Sequence, residues 1–218
     1  MLMQAKISAD EQDSGGPAAA PPRTFTEAAR RAQIVDAAIE VIADEGYAKA
    51  TYARIARRAG LSSTGMISYH FAGKADLMRE VVAEVMRVAD GYMRPRIEAQ
   101  PTAAGRLRAH IESNLELLGA HPKHLPALLQ VLAQARGDEP WQQEFAAEMG
   151  GLVDRVAEAL ARAQEAGEFG DFDPWVMAMA IRGAVDAVVS RVAGGAAIDV
   201  AACGRELADL FDRATRKA

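Results

Sequence analysis

Cysteine is almost absent from this sequence, because Cys203 is the only one among 218 residues. A single thiol excludes an internal disulfide framework and a zinc site built from several thiolates. No apolar run approaches the ~20 residues that a membrane-spanning helix requires. The polar and acidic first segment, MLMQAKISADEQDSGG, also lacks the apolar stretch of a signal peptide. We therefore expect a soluble, cytoplasmic protein with no membrane partner.

Motifs that support catalysis are also missing. The sequence contains no nucleophile elbow, no glycine-rich phosphate loop and no pair of carboxylates at catalytic spacing. His121 and His124 form the only close histidine pair, and Pro122 and Pro126 oppose a helix that would direct both imidazoles at one metal ion. We expect neither an enzyme nor a metal site, and no cofactor.

Apolar residues make up 50% of the chain, in alanine-rich segments without alternating β-branched runs. This pattern favours an all-α protein. Glycine, proline and capping residues divide the chain into about nine helices. The predicted helices lie near residues 26–45, 51–59, 63–71, 74–97, 107–118, 126–132, 141–166, 174–193 and 200–216. Thr26 and Glu27 are expected to cap the first of them.

Residues 51–71 have the pattern of a helix-turn-helix. Thr51 caps a short helix, and Gly60 supplies the positive φ of a tight turn, with Leu61 as the apolar residue beneath it. Ser63 or Ser62 then caps a second short helix. Its inward residues are Met66, Ile67 and Phe71, and its outward residues are Thr64, Gly65, Ser68, Tyr69 and His70. Short polar side chains near its start suit a helix that enters the major groove of DNA.

Charge is unevenly distributed, although the net charge is −5. Between residues 48 and 79 the only acidic residue is Asp76. The basic residues there are Lys49, Arg54, Arg57, Arg58, Lys74 and Arg79. We interpret them as a patch that neutralises phosphates rather than as a solvated helix face, although Arg57 or Arg58 can instead pair with the body. Arg23, Arg30 and Arg31 fit either a basic arm in the minor groove or a tail without contacts.

The segment from Ile34 to Leu77 resembles the DNA-binding domain of the tetracycline-repressor (TetR/AcrR) family of bacterial regulators. The residues that carry the resemblance are Glu45-Gly46-Tyr47, Thr51, Ile55-Ala56, Ala59-Gly60-Leu61-Ser62, Tyr69-His70-Phe71 and Lys74. Between Gly60 and Phe71 this chain has one residue more than the usual family spacing. We place the additional residue at Ser62, within the turn.

The resemblance implies an all-α fold, in which a three-helix head is joined by a long helix to a helical body. Residues 1–24 would be a disordered tail, residues 25–74 the DNA-binding domain, and residues 75–218 the ligand-binding and dimerisation domain. Thr51, Tyr69, His70 and Lys74 would contact phosphates. Ser63, Thr64, Gly65 and Ser68 would face base edges. The expected protein is a repressor that binds a palindromic operator as a homodimer.

The resemblance also implies a small-molecule effector bound among the middle helices. Trp and Met in this region favour an apolar or aromatic molecule. The candidate ligand residues are His110, Asn114, Trp141, Phe145 and Trp175. Each of these, taken alone, fits a core, rim or solvent position at least as well.

The last two helices, at about 174–193 and 200–216, carry more small and apolar surface than one monomer needs to bury. They are the expected dimer interface, in which the pair packs against its symmetry mate. Two alternatives remain open at this point. One is an all-α interaction protein whose degenerate helix-turn-helix head no longer reads DNA, and the other is an architectural protein that binds DNA without choosing a sequence.

Overall fold

The computed structural model describes residues 25–134 and 140–217, and all regular structure in these ranges is helical. The helices are α1 (Phe25–Glu45), α2 (Tyr52–Arg58), α3 (Gly65–His70), α4 (Lys74–Glu98), α5 (Ala103–Ala120), α6 (His124–Gln134), α7 (Pro140–Glu165), α8 (Pro174–Ala193) and α9 (Val200–Thr215), with a 3₁₀ turn at Tyr47–Lys49. The predicted all-α class with about nine helices is confirmed. The predicted disordered tail, including Arg23, lies outside the described residues.

Side-chain caps set the starts of several helices. Thr51 Oγ1 accepts the amide of Arg54 at 3.4 Å, and Thr102 Oγ1 accepts that of Gly105 at 3.1 Å. Asp173 and Asp199 accept amides at the starts of α8 and α9 in the same way. Thr26 was expected to be a cap but lies inside α1, which already includes Phe25. None of the helices in the described ranges combines the length and apolar character needed to cross a bilayer.

One apolar core runs through the head and into the body. Ile34 and Ile42 of α1 pack in it with Ile67 of α3 and Leu77 of α4, and all four are fully buried. The same cluster continues through buried residues of α5, α6 and α8, including Val131. A second cluster lies at the far end of the body, among α5, α7, α8 and α9. The head is therefore packed against the body rather than tethered to it.

Helix α6 provides a second connection between head and body, besides the continuous helix α4. The side-chain oxygen Oε1 of Gln130 accepts the backbone amide of Tyr47 at 2.9 Å. Lys123, just before α6, forms an ion pair with Asp44 near the end of α1. Asp44 also pairs with Arg58 of α2 at 3.2 Å. Polar contacts thus connect the start of α6 to the helix-turn-helix.

Candidate nucleic-acid interface and ligand cavity

The turn between α2 and α3 is built on Gly60, which has a φ of +65°. The amide of Leu61 donates to the carbonyl of Ala56 at 2.8 Å, and that of Gly60 donates to Arg57 at 3.2 Å. These two bonds form a Schellman motif, which ends a helix with one left-handed residue. Leu61 packs against the core beneath the turn. The predicted conformation of Gly60 and the predicted position of Leu61 are confirmed.

Helix α3 starts later than predicted and has only six residues. Thr64 precedes it and makes no side-chain capping bond, so the prediction that Ser62 or Ser63 caps this helix is wrong. Ile67 and Phe71 are buried at 0% and 2% exposure, whereas Met66 is 36% exposed. Residues four apart share one side of a helix, so Ile67 and Phe71 face the core together and Met66 was wrongly expected to join them.

The residues predicted to contact DNA lie mostly on the surface around α3. Thr51, Ser63, Thr64, Gly65, Ser68, Tyr69 and Lys74 are exposed, and His70 is half-buried. The hydroxyl of Tyr69 donates to Glu27 Oε1 at 3.3 Å. The Nζ atom of Lys74 lies 4.2 Å from the centre of the Tyr47 ring, and partial burial lowers the pKa of Lys74. Tyr69 and Lys74 are therefore exposed but also make contacts within the head.

The basic patch is smaller than the sequence indicated. Arg54 forms an ion pair with Glu45, and Arg58 pairs with Glu40 at 2.9 Å as well as with Asp44. These two guanidinium groups hold α2 against α1. Lys49 and Arg57 are exposed and have no side-chain partner among the described residues, which leaves them available for phosphates.

Arg31 is a structural residue of the head. Only 7% exposed, it donates to the carbonyl of His70 and to the carboxylate of Glu80. A basic arm reaching DNA was one interpretation of this residue, and it is wrong, because the guanidinium points into the junction of α1, α3 and α4. Arg30 is exposed and donates to Gln33 at 2.6 Å.

A cavity of about 420 Å³ lies in the body, among α4, α5, α7 and α8. Most of its wall is apolar, and Phe169, between α7 and α8, closes part of it. Apolar residues from all four helices contribute, including Met86, Met93, Leu107, Val156 and Ile181. The volume is within the usual range for small-molecule sites, which is roughly 300–1,000 Å³.

Of the five predicted ligand residues, the structure brings His110 and Asn114 to this cavity. Trp175 does not line it and is instead 54% exposed in the first turn of α8. Trp141 and Phe145 fall in α7, but their side chains lie outside the described residues.

Sequence reasoning missed Arg182, which lines the cavity from α8. The available signal was the spacing of Ala178, Ile181, Arg182 and Val185, which places all four on one side of α8. From this helix, which was expected mainly to form the dimer, only Trp175 was assigned to the ligand.

His110, Asn114 and Arg182 are three of the polar residues that line the cavity, and the others are Asp90, Arg94, Glu98, Arg106 and Arg155. The Nε atom of Arg182 donates to Asp186 at 2.9 Å, one turn further along α8. Burial, together with the positive charge of Arg182, lowers the pKa of His110 to about 4. His110 is therefore neutral near pH 7 and offers one donor and one acceptor nitrogen.

The close histidine pair lies away from the cavity. His121 ends α5 and His124 begins α6, with their ring centres 5.0 Å apart. Burial lowers the pKa of His124, and its Nδ1 atom has no hydrogen-bond partner among the residues that the structure describes. Within the described part of the chain, no group of three or more potential ligands is placed to hold a metal ion.

Large apolar side chains are exposed on the last two helices. Trp175, Val176 and Met179 of α8 are exposed by 54%, 56% and 46%, and Leu210 of α9 by 50%. Exposed apolar side chains that cluster on neighbouring elements mark an interaction surface. We call these four residues the α8–α9 patch.

Two protein-family models match the chain. A model of the tetR family of bacterial regulatory proteins matches residues 34–81, and a model of the C-terminal part of BetI-type transcriptional repressors matches residues 101–213. The HTH-type transcriptional regulator BetI 1 of Chromohalobacter salexigens is 35% identical over 96 residues, which is 44% of this chain and 47% of that protein. The chain thus spans about half the length of the curated relatives it matches.

Solved structures share the fold over most of the chain. A TetR-like transcriptional regulator from Rhodococcus sp. RHA1 is 26% identical, with a TM-score of 0.67 over 88% of this chain and 97% of that one. A putative transcriptional regulator from Saccharomonospora viridis, solved in complex with choline, is 21% identical, with a TM-score of 0.75 over 88% of this chain and 100% of that one.

Proposed function

Because the chain belongs to the TetR family of bacterial transcriptional regulators, we propose that it is a homodimeric repressor that binds a palindromic operator and is released by a small effector. Residues 25–74 are the DNA-binding domain, and residues 75–218 bind the effector and form the dimer. The observation that carries this proposal is the core shared by α3, α4 and the body helices. It joins an exposed polar helix to a cavity-bearing body.

The proposed DNA contacts lie on and around α3. Ser63, Thr64, Gly65 and Ser68 face base edges, and Thr51, Tyr69, His70 and Lys74 contact phosphates. A Cβ added to Gly65 would lie 3.4 Å from Ser63 Oγ, so the side chain of Ser63 lies close to the backbone at the start of α3. In the dimer, two copies of α3 enter successive major grooves roughly 34–36 Å apart.

The dimer forms through the α8–α9 patch. A patch at the symmetry axis of a C₂ dimer meets its own copy, so apolar side chains there cover one another. The four exposed residues support this assignment because burying each large apolar side chain contributes ~1.5–3 kcal/mol.

The effector occupies the cavity and acts on α4. Met86 and Met93 of α4 line the cavity, and the same helix begins at Lys74 beside α3. An apolar molecule that favours a different tilt of α4 changes the separation of the two copies of α3. A coupling of ~1–3 kcal/mol weakens operator binding up to about 150-fold.

The test is binding of the purified chain to duplex DNA from the region upstream of its own gene, with a scrambled duplex as control, at two salt concentrations. We expect selective binding by two protomers per site that weakens steeply with salt. Lys74→Gln removes two phosphate contacts per dimer and reduces the slope of log affinity against log salt by about two. Arg162→Gln, on exposed α7 surface, is the control and should leave the slope unchanged.

Equal affinity for both duplexes would contradict sequence-specific control of this region and favour architectural binding. No binding at low salt would contradict a DNA-binding function and favour an interaction protein.

A further inference from the structure

Three polar side chains facing the cavity have unused hydrogen-bonding groups. His110, enclosed by protein, and Asn114 form no side-chain hydrogen bond with the described residues. Arg182 uses only its Nε atom, for Asp186, so both of its Nη groups are unengaged in the described part of the chain. All three residues are half-buried and line the cavity. Their unused donors and acceptors are therefore available to a molecule bound there.

The charges around the cavity favour a negative partner for this trio. Among the described residues, Arg182 is the one charged group that lowers the pKa of His110, and its charge disfavours a second cation beside the imidazole. Arg155 also lines the cavity and has no ion-pair partner among the described residues. A carboxylate introduced here would meet one guanidinium with two free Nη groups and one neutral imidazole donor.

Most of the remaining charges on the wall are paired. Arg94 binds its neighbour Asp90 at 2.7 Å, which compensates that carboxylate. Arg106 lies 3.5 Å from Glu168, which is outside the cavity. Glu98 is the remaining lining carboxylate and also lies on α4, beyond Arg94 in the chain. The wall therefore carries four arginines and two carboxylates.

A quaternary ammonium ion fits this wall poorly. Such ions are held by cages of aromatic rings. Among the described lining residues, Phe169 is the only Phe, Tyr or Trp. A cation beside His110 would also meet the charge of Arg182.

The apolar part of the cavity limits the size of the molecule. A volume of about 420 Å³ lies towards the small end of the usual range for ligand sites, which is roughly 300–1,000 Å³. We propose that the effector is a small amphipathic carboxylate, with its carboxylate bound by Arg182, His110 and Asn114 and its apolar body against Met86 and Met93. This inference rests on the proposed function of the cavity as the effector site.

The experiment compares three probes that share a ten-carbon chain: decanoate, 1-decanol and decyltrimethylammonium. Binding to the full-length chain is measured by calorimetry and by thermal unfolding, below the concentrations at which the probes form micelles. We expect one decanoate per protomer, with an affinity at least tenfold higher than that of either other probe. Equal or tighter binding of 1-decanol or decyltrimethylammonium, or no binding by any probe, would overturn the carboxylate assignment.

Variants test whether the trio is the binding group. Arg182→Met should weaken decanoate binding by about 10- to 100-fold, because charge-assisted hydrogen bonds are lost, and should leave decanol binding unchanged. The matched control is Arg162→Met, since Arg162 also pairs with a carboxylate one turn away, Glu158 at 3.7 Å, but lies outside the cavity. Weaker decanoate binding by both Arg182→Met and Arg162→Met, or by neither, would contradict the proposal.

Asn114→Asp provides a second, nearly isosteric test that does not depend on Arg182→Met folding. The added carboxylate should abolish decanoate binding by repulsion while the chain remains helical by circular dichroism. Undiminished decanoate binding would contradict the proposed position of the carboxylate.

The operator assay separates failure of this inference from failure of the proposed function. If the same preparation binds operator DNA selectively but prefers no decanoate, the repressor proposal stands and the ligand class is wrong. If it binds decanoate but no operator, the ligand class stands and the repressor proposal is wrong.

Discussion

The guanidinium carbon of Arg31 lies 4.2 Å from the centre of the Phe71 ring. The same guanidinium donates to the carbonyl of His70 and to Glu80. His70 and Phe71 mark the end of α3, and Glu80 lies in α4. One side chain of α1 therefore connects the end of α3 to α4.

Arg31→Met should lower the free energy of unfolding by about 2–3 kcal/mol, because two charge-assisted hydrogen bonds are lost and a buried carbonyl loses its partner. Operator affinity should fall with it, since the end of α3 is no longer held. Urea unfolding and DNA binding measure the two effects. Arg30→Met is the control, because Arg30 is exposed and should change stability by less than about 0.5 kcal/mol. Equal stability of both variants would contradict a clamping role.

The sequence predicted those features of the head that depend on near neighbours. Thr51 and Gly60 act within three to five residues of themselves, through a cap and a helix-ending turn. Arg31 acts on residues 39 and 49 positions away. Its neighbours in the chain give no sign of those partners, so its charge was interpreted as a possible DNA contact.

The body was predicted less completely because α8 has apolar residues on two sides. Helical periodicity identified such a helix, but it did not say which side faces the cavity and which faces solvent. Trp175 was assigned to the ligand although it is exposed, while Arg182 was overlooked although it lines the cavity. His110 and Asn114 were found because α5 presents them as a polar stripe on an otherwise apolar side.

As the proposed dimer interface, the α8–α9 patch should make the oligomeric state sensitive to charge. Met179→Glu places like charges on both sides of a C₂ interface and should weaken dimerisation by about 100-fold or more, since unpaired charges are costly to bury. Sedimentation equilibrium measures the change. Phe25→Glu is the control, because Phe25 is 91% exposed and lies outside the patch. Dimerisation that survives Met179→Glu unchanged would place the interface elsewhere.

The low pKa of His110 makes stability depend on pH. The folded pKa of about 4 lies below the ordinary 6.5, so the unfolded chain binds the proton more tightly. Stability is therefore lost as the pH falls from 6.5 towards 4, and the loss between pH 7 and pH 4.5 is about 2 kcal/mol. Among the charged groups that line the cavity, Arg182 of α8 is the one whose charge acts on His110. Asp90, Arg94 and Glu98 of α4, Arg106 of α5 and Arg155 of α7 also line the cavity.

His110→Asn removes this titration while retaining a polar side chain. Between pH 7 and pH 4.5, the free energy of unfolding of the variant should fall by about 2 kcal/mol less than that of the unmodified chain, as measured by urea unfolding. Other groups titrate in both proteins and cancel in the difference. An equal loss in both proteins would mean that His110 does not titrate as its surroundings imply.

Gln130 is one of the residues through which α6 holds the head, because its Oε1 atom accepts the amide of Tyr47 at 2.9 Å. Gln130→Leu removes the acceptor and leaves the amide at the start of the 3₁₀ turn without a partner. Losing about 1–2 kcal/mol of local stability should speed hydrogen exchange of the Tyr47 amide by roughly 5- to 30-fold. Gln130→Glu retains an oxygen at the same position and should keep exchange slow.

Exchange in α8 should not change in either variant, since α8 does not depend on this bond. Faster exchange throughout the chain would indicate global destabilisation instead of a local contact. If Gln130→Leu also lowers operator affinity while Gln130→Glu does not, the hold of α6 on the 3₁₀ turn contributes to positioning α3, and the body controls the head through α6 as well as through α4.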